Sequence, residues 1–93
     1  MIEFEWDNEK ASANLRKHGV SFDLPTQAFL DPFAVEWIDK REAYGEERTI
    51  LLAMADGTIL VVVYTERGDR RRLISARRAT RHEQNLYTLE NGA

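Results

Sequence analysis

The chain contains no cysteine. That excludes disulfides as staples for the core and removes zinc sites built on thiolates. Proline occurs twice and glycine five times in 93 residues, and neither is clustered. There is accordingly no linker, no low-complexity segment and no glycine-rich phosphate loop. The longest apolar runs, Ile50 to Ala55 and Ile59 to Tyr64, fall far short of the ~18 residues that cross a bilayer. The opening Met1-Ile2-Glu3-Phe4-Glu5-Trp6-Asp7 is acidic and aromatic, whereas a secretory leader starts basic and then turns apolar. A reducing, cytoplasmic setting without membrane insertion is the expectation. The two histidines, His18 and His82, lie far apart without metal-ligand spacing, and the acids are scattered, so no metal centre is expected. No Ser/His/Asp constellation stands out.

What the chain does have is an uneven distribution of charge. The net charge of −3 argues by itself against a nucleic-acid partner. Seven arginines fall between Arg67 and Arg81 with one acid, Asp69, for a local balance of +6, while Glu3, Glu5, Asp7 and Glu9 open the chain without a base. An acidic chain with one strongly basic segment points to a local anion site and not to a generally sticky surface.

The pattern predicts one domain over residues 1–93. Glu3 to Trp6 alternates like a half-buried strand. Asp7 can cap a helix over Asn8 to Lys17, with Ala11 and Leu15 on its buried face and Gly19 as its stop. Ser21 can cap a second helix reaching Leu30, with Pro25 tolerated only in its first turn. Strands follow at Phe33 to Ile38, Arg48 to Ala55, Thr58 to Thr65 and Arg71 to Arg77. The Asp56-Gly57 dipeptide makes a hairpin turn, and the near-continuous apolar character of Thr58 to Thr65 marks a strand covered on both faces. Thr80 and Glu83 have capping-box spacing, opening a last helix to about Glu90. The class is α+β: a mainly antiparallel sheet with two N-terminal helices and one C-terminal helix, in the order βααββββα.

The sharpest chemical feature is Thr65-x-Arg67 followed by Ser75-Ala76-Arg77-Arg78. These groups end two adjacent antiparallel strands, so Arg67 and Arg77 lie near opposite ends of one hairpin. A single tight four-arginine pocket is not required by this geometry, and a basic face or groove is the expectation. The planar fork of arginine suits two-point contact with phosphate. A solvated charge run, with arginines paired to the acidic N-terminal strand, explains the same residues. His18 is a candidate acid or base, or a helix-end residue favoured by the helix dipole. Phe4, Trp6, Phe22, Phe29, Phe33, Trp37 and Tyr64 read as core or partly buried packing; Tyr87 is open to either role.

Phe4-x-Trp6-Asp7, Lys10, Asn14, Lys17-His18-Gly19-Val20-Ser21-Phe22, Ala28-Phe29 and Asp31 run in an order that resembles the BrnT family of bacterial type II toxins. Glu47-Arg48, the Asp56-Gly57 turn, Val61-Val62, Tyr64-Thr65, Arg67, Ile74-Ser75-Ala76-Arg77-Arg78-Ala79, Glu83 and Tyr87 continue it over nearly the whole chain. The resemblance implies a RelE-like fold and a metal-independent, cofactor-free endoribonuclease that stops translation. It implies a BrnA-type antitoxin partner with a ribbon-helix-helix DNA-binding domain, through which the pair binds operator DNA and represses its own operon. Carried onto this chain, the catalytic positions are Arg67, Arg77 and Arg78, with Thr65 and His18 as further candidates. Lys17, Arg70, Arg72 and Arg81 are expected RNA contacts, and the antitoxin is expected to cover Arg67, Arg77 and Arg78. The competing class is a non-catalytic module whose basic face binds protein or DNA.

Overall fold

The computed structural model describes residues 2–91. Its elements are β1 (Glu3–Glu5), α1 (Asn8–His18), a 3-10 helix (Leu24–Leu30), β2 (Val35–Ile38), β3 (Thr49–Ala55), β4 (Thr58–Arg67), β5 (Arg70–Arg78) and α2 (Arg81–Glu90). The local signals act where they stand. The Asp7 side chain accepts from the Glu9 and Lys10 amides, and Gly19 ends α1 in the left-handed region at φ 69°. Asp56 and Gly57 both take positive φ, as a tight two-residue hairpin turn demands. Thr80 and Glu83 form the reciprocal capping box at the start of α2.

Between β1 and β2 there is one α-helix, not two. The second helical segment begins after Asp23, later than Ser21, and winds as a 3-10 helix. Asp23 contributes no side-chain cap, and Pro25 brings no amide hydrogen to the first turn. The three-residue repeat of a 3-10 helix sets Pro25 and Ala28 in line, and both are buried against the sheet.

The sheet has five strands in the order β1-β5-β4-β3-β2. It is mixed: β1 runs parallel to β5, and the other three pairs are antiparallel. Both faces are covered at the centre, which accounts for the apolar run in β4. On one face Leu51, Ala53, Leu60, Val62, Tyr64, Leu73 and Ala76 pack with Val20, Phe22 and Ala28 from the α1 and 3-10 side. On the other face Ile50, Leu52, Val61, Val63 and Ala79 meet Leu86 and Tyr87 of α2. Leu52 and Leu60 are wholly buried, each stabilising the fold by about 1.5–3 kcal/mol.

Two packing expectations fail. Leu15 is 51% exposed, and the buried residue of α1 is Asn14. Phe33 and Trp37 are also exposed, at 59% and 39%. The reason for the first is geometric. Strand β1 pairs only with Arg70 to Arg72, so β5 has no neighbouring strand on that side at Ala76. Asn14 fills the gap: its Nδ2 donates to the carbonyls of Ala76 (2.7 Å) and Val20 (3.0 Å), and its Oδ1 accepts from the Ala76 amide (3.1 Å). A side-chain amide thus stands in for a strand, and the end of α1 is tied to the sheet edge.

Candidate active site

The β4–β5 hairpin separates the basic segment into two ends. Arg67 lies opposite Arg70 at the turn, whereas Arg77 lies opposite Val61 toward the far end. At the turn the guanidiniums meet acids. Arg70 pairs with Glu3 at 3.5 Å, Arg72 with Glu5 at 2.6 Å and Arg67 with Glu46 at 3.6 Å. The parallel register, Glu3 beside Arg70 and Glu5 beside Arg72, sets the acidic strand against the basic one. Arg71 lies over the rings of Phe29 and Tyr64, 5.3 and 5.5 Å from their centroids. Thr65 is buried, and its hydroxyl donates to the Glu47 carbonyl at 2.8 Å.

The other end opens into a cleft of about 310 Å³ on the α2 face of the sheet. Its floor includes a row across four strands: Trp37 beside Ile50, Ile50 beside Val63, and Val63 beside Ser75. Lys17 and His18 at the end of α1, Arg41 from the segment after β2, Arg77 of β5 and Glu83 of α2 complete the lining. The Asn14 anchor is what brings His18 to this side of the β5 edge. A second groove of about 290 Å³, lined by Lys10, Lys17, His18, Ile74 and Ser75 among others, adjoins through Lys17, His18 and Ser75.

Each arginine in the cleft is held by a carboxylate. Arg77 donates from Nη1 and Nη2 to the two oxygens of Glu83, at 2.7 and 2.8 Å. Glu83 also accepts from the Thr80 amide. The Arg77 fork above all, with that amide, holds the Glu83 carboxyl down to about 2. The same fork raises Arg77. Arg41 donates from Nε and Nη2 to the two oxygens of Asp39, both at 2.8 Å, and the Tyr44 hydroxyl donates to Asp39 as well. The Arg41 guanidinium therefore keeps the Asp39 carboxyl well below the usual carboxylate range. Arg41 is close enough to Arg77 for its charge to oppose the charge there. Two guanidiniums fixed near each other by separate acids, beside a lysine and a histidine, make this cleft the candidate site for an anion.

Of the residues expected to act, the fold brings His18, Lys17 and Arg77 together. Arg78 is exposed against the end of α1, its Nη1 3.5 Å from the His18 carbonyl. Arg81 is exposed in the first turn of α2. Arg67, Thr65, Arg70 and Arg72 belong to the turn end. Arg41 and Trp37 had no signal in the sequence, since one arginine in a charged loop and one tryptophan in a strand carry no pattern. Glu83 was legible as a cap but not as the partner of Arg77.

A larger cavity, about 590 Å³, is elsewhere, lined by Ile2, Phe4, Trp6, Thr26, Gln27, Phe29 and Leu30. No ionisable side chain lines it, which leaves the smaller cleft as the candidate for the chemistry. Among the described residues no helix is long and apolar enough to cross a membrane, and no three His, Asp or Glu side chains gather as metal ligands.

No curated protein matches the chain. A family model described as the ribonuclease toxin, BrnT, of type II toxin–antitoxin systems matches residues 6–83. The matched span runs from Trp6 to Glu83 and takes in every residue lining the cleft, and the chain belongs to this family of ribonuclease toxins.

Proposed function

We propose that this toxin cuts RNA in the His18–Arg77 cleft, using the substrate's own 2′-hydroxyl and no metal ion. The observation that carries the proposal is the meeting of His18, Lys17, Arg41 and Arg77 in one cleft, from three separate parts of the chain. The 2′-oxygen attacks the adjacent phosphorus, the bond from phosphorus to the 5′-oxygen breaks, and the products are a 2′,3′-cyclic phosphate and a 5′-hydroxyl. The 2′-hydroxyl proton passes to the imidazole of His18, a side chain able to act as a general base. The leaving oxygen takes a proton from water or from the Lys17 ammonium. Arg77 neutralises the charge that develops on the phosphorane oxygens; Arg78, on the opposite face of β5, stands outside the cleft. Glu83 is a positioning residue, because it holds the Arg77 fork from behind. Its own carboxyl, held at about 2, is too weak a base to take the proton. Arg67, Thr65, Arg70 and Arg72 stand outside this centre.

The partner fits the same reading. A type II toxin requires a protein antitoxin, here of the BrnA type with a ribbon-helix-helix domain. A toxin of net charge −3 leaves operator binding to that domain. The setting is the cytoplasm, where translated RNA is found.

The test is purified chain, end-labelled RNA and EDTA. Cleavage should persist in EDTA, leave cyclic-phosphate ends, and stop when the ribose at the cut is 2′-deoxy. Arg77→Ala should lower kcat by about 10²–10³, the usual cost of one donor to a developing oxyanion. Loss of cleavage in EDTA, or cutting of the 2′-deoxy substrate, would overturn the mechanism.

A further inference from the structure

We propose that Trp37 and Arg41 form a nucleobase subsite beside the reacting centre, which takes one unpaired base of single-stranded RNA. The base lies on the indole, and an adjoining phosphate meets the outer edge of the Arg41 guanidinium. The proposal rests on the reading of the cleft as the RNA-cutting site and adds what the far wall of that cleft does.

Trp37 lies on β2, the last strand of the sheet, and is 39% exposed. The aromatic ring pairs among the described residues, Phe4 with Phe29, Trp6 with Phe22 and Phe29 with Tyr64, are all formed on the other face, and Trp37 takes part in none of them. Its indole N–H has no hydrogen-bond acceptor among the described residues. A large aromatic surface is thus presented to a cleft whose lining also carries Lys17, Arg41 and Arg77, over an apolar floor and with Glu83 behind Arg77.

Arg41 is built for the complementary task. Asp39, itself buried, takes Nε and Nη2 of the guanidinium, and Nη1 is left without a partner among the described residues. The Arg41 side chain is 69% exposed and held in one orientation. An aromatic face with a fixed cation beside it is the recurrent arrangement for single-stranded nucleic acid. The base stacks, and the backbone follows the charge. A base inside a duplex has both faces covered by its neighbours and cannot stack on a side chain.

Position decides which base is held. Trp37 and Ser75 are three strand spacings apart, roughly 14 Å at ~4.8 Å per strand. The stacked base therefore belongs to a nucleotide flanking the scissile phosphate at His18 and Arg77. Stacking accepts any base, so the subsite selects for an unpaired strand and not for a sequence.

The experiment uses the tryptophan as its own reporter. The chain has two tryptophans, so Trp6→Phe, which keeps a ring against Phe22, leaves Trp37 as the only one. If that variant fails to fold, the difference between wild type and Trp37→Phe isolates the same signal. The probe is a short RNA with 2′-O-methyl riboses, which binds but cannot be cut. Single-stranded probe should quench Trp37, and the same probe annealed to its complement should not. Trp37→Ala should weaken binding roughly 5- to 150-fold and raise KM on cleavable RNA more than it lowers kcat, and Trp37→Phe should restore most of the loss. RNA cutting with no change in Trp37 emission, or equal affinity in Trp37→Ala and wild type, would overturn the subsite and leave the cleavage mechanism standing. Quenching without any cutting of ordinary RNA would do the reverse.

Discussion

Replacing Asn14 by alanine tests the most economical device in the fold. The substitution strips partners from three backbone groups at once: the amide and carbonyl of Ala76 and the carbonyl of Val20. A buried polar group left unpaired costs ~1–3 kcal/mol. Asn14 is 6% exposed but borders the groove beside Lys10 and Lys17, so water can reach part of the space it vacates. The sum should therefore fall at about 2–4 kcal/mol, a large share of the ~5–15 kcal/mol that holds a typical domain. Urea denaturation measures this as a lowered midpoint at unchanged slope, and hydrogen exchange should show the Ala76 amide losing protection first. The catalytic consequence should be larger than the stability loss predicts. Asn14 fixes the end of α1, so His18 loses its setting relative to Arg77, and a displacement of ~1 Å at a reacting centre can cost ~10²-fold. Asn14→Asp sharpens the test, since its carboxylate faces two carbonyl oxygens in a buried place. Both effects raise its carboxyl pKa, so this variant should be least stable at neutral pH and recover as the pH falls and the carboxyl protonates. A stability loss in Asn14→Ala under about 0.5 kcal/mol, with cleavage within twofold of wild type, would refute the anchoring role.

Three further outcomes follow from the ion pairs and buried hydroxyls. Arg67→Ala should change stability by no more than about 1 kcal/mol and leave cleavage within a few-fold of wild type, because its partner Glu46 lies at 3.6 Å on an open surface; a loss as large as that of Arg77→Ala would put the turn end back into the mechanism. The Glu83 carboxyl is lowered from 4.5 to about 2, so its contribution is fully present above pH ~4.5 and is lost as the pH falls through ~2. At face value the shift is worth ~3 kcal/mol, and screening in the open cleft reduces it to about 1 kcal/mol; urea midpoints of wild type and Glu83→Gln should differ at pH 7 and converge near pH 2. Tyr87→Phe should cost about 1 kcal/mol, read as a lowered Tm, because it removes the 2.6 Å hydrogen bond from the Tyr87 hydroxyl to Asp31. In wild type, burial first and Asp31 second push that phenol to about 12, so an ultraviolet titration should find it still neutral at pH 11.

What the sequence disclosed about the fold was local. Asp7, Gly19, Asp56-Gly57 and the Thr80/Glu83 box each act within a few residues of themselves, and each stands where its chemistry requires. The failures were tertiary. Apolar spacing put Leu15 inward because periodicity ranks hydrophobes, yet the position of α1 over a sheet edge called for a residue that can bond to backbone, and asparagine does so. Helix-capping logic gave an α-helix from Ser21, but the burial of Pro25 and Ala28 is met by a tighter turn. The parallel pairing of β1 with β5 has only a faint trace in the chain: the alternation of Glu3 and Glu5 mirrors that of Arg70 and Arg72.

The basic segment shows why a local charge sum is a poor guide to a site. Its acids arrive from β1, from the segment before β3 and from α2, and they pair with Arg70, Arg72, Arg67 and Arg77. On the proposed reading, the manner of pairing then separates the arginines of the turn from those of the cleft. At the turn end, Arg67 and Arg70 meet acids loosely, at 3.5–3.6 Å and in the open, while Arg72 and Glu5 join two strands. In the cleft, Asp39 and Glu83 each engage a guanidinium through both carboxylate oxygens, fixing the orientation of Arg41 and Arg77 with their charge still directed into one space. On the proposed reading, holding two cations near each other opposes their mutual repulsion, and neighbouring phosphates of an arriving strand relieve it without first reorganising either side chain. That is the physical condition under which fixed charge lowers a barrier, because the cost of orientation is met during folding and not during the reaction. Arg41 could not be found by counting arginines, since it lies far outside the basic segment in sequence. It could be found only by asking which guanidiniums are held from behind.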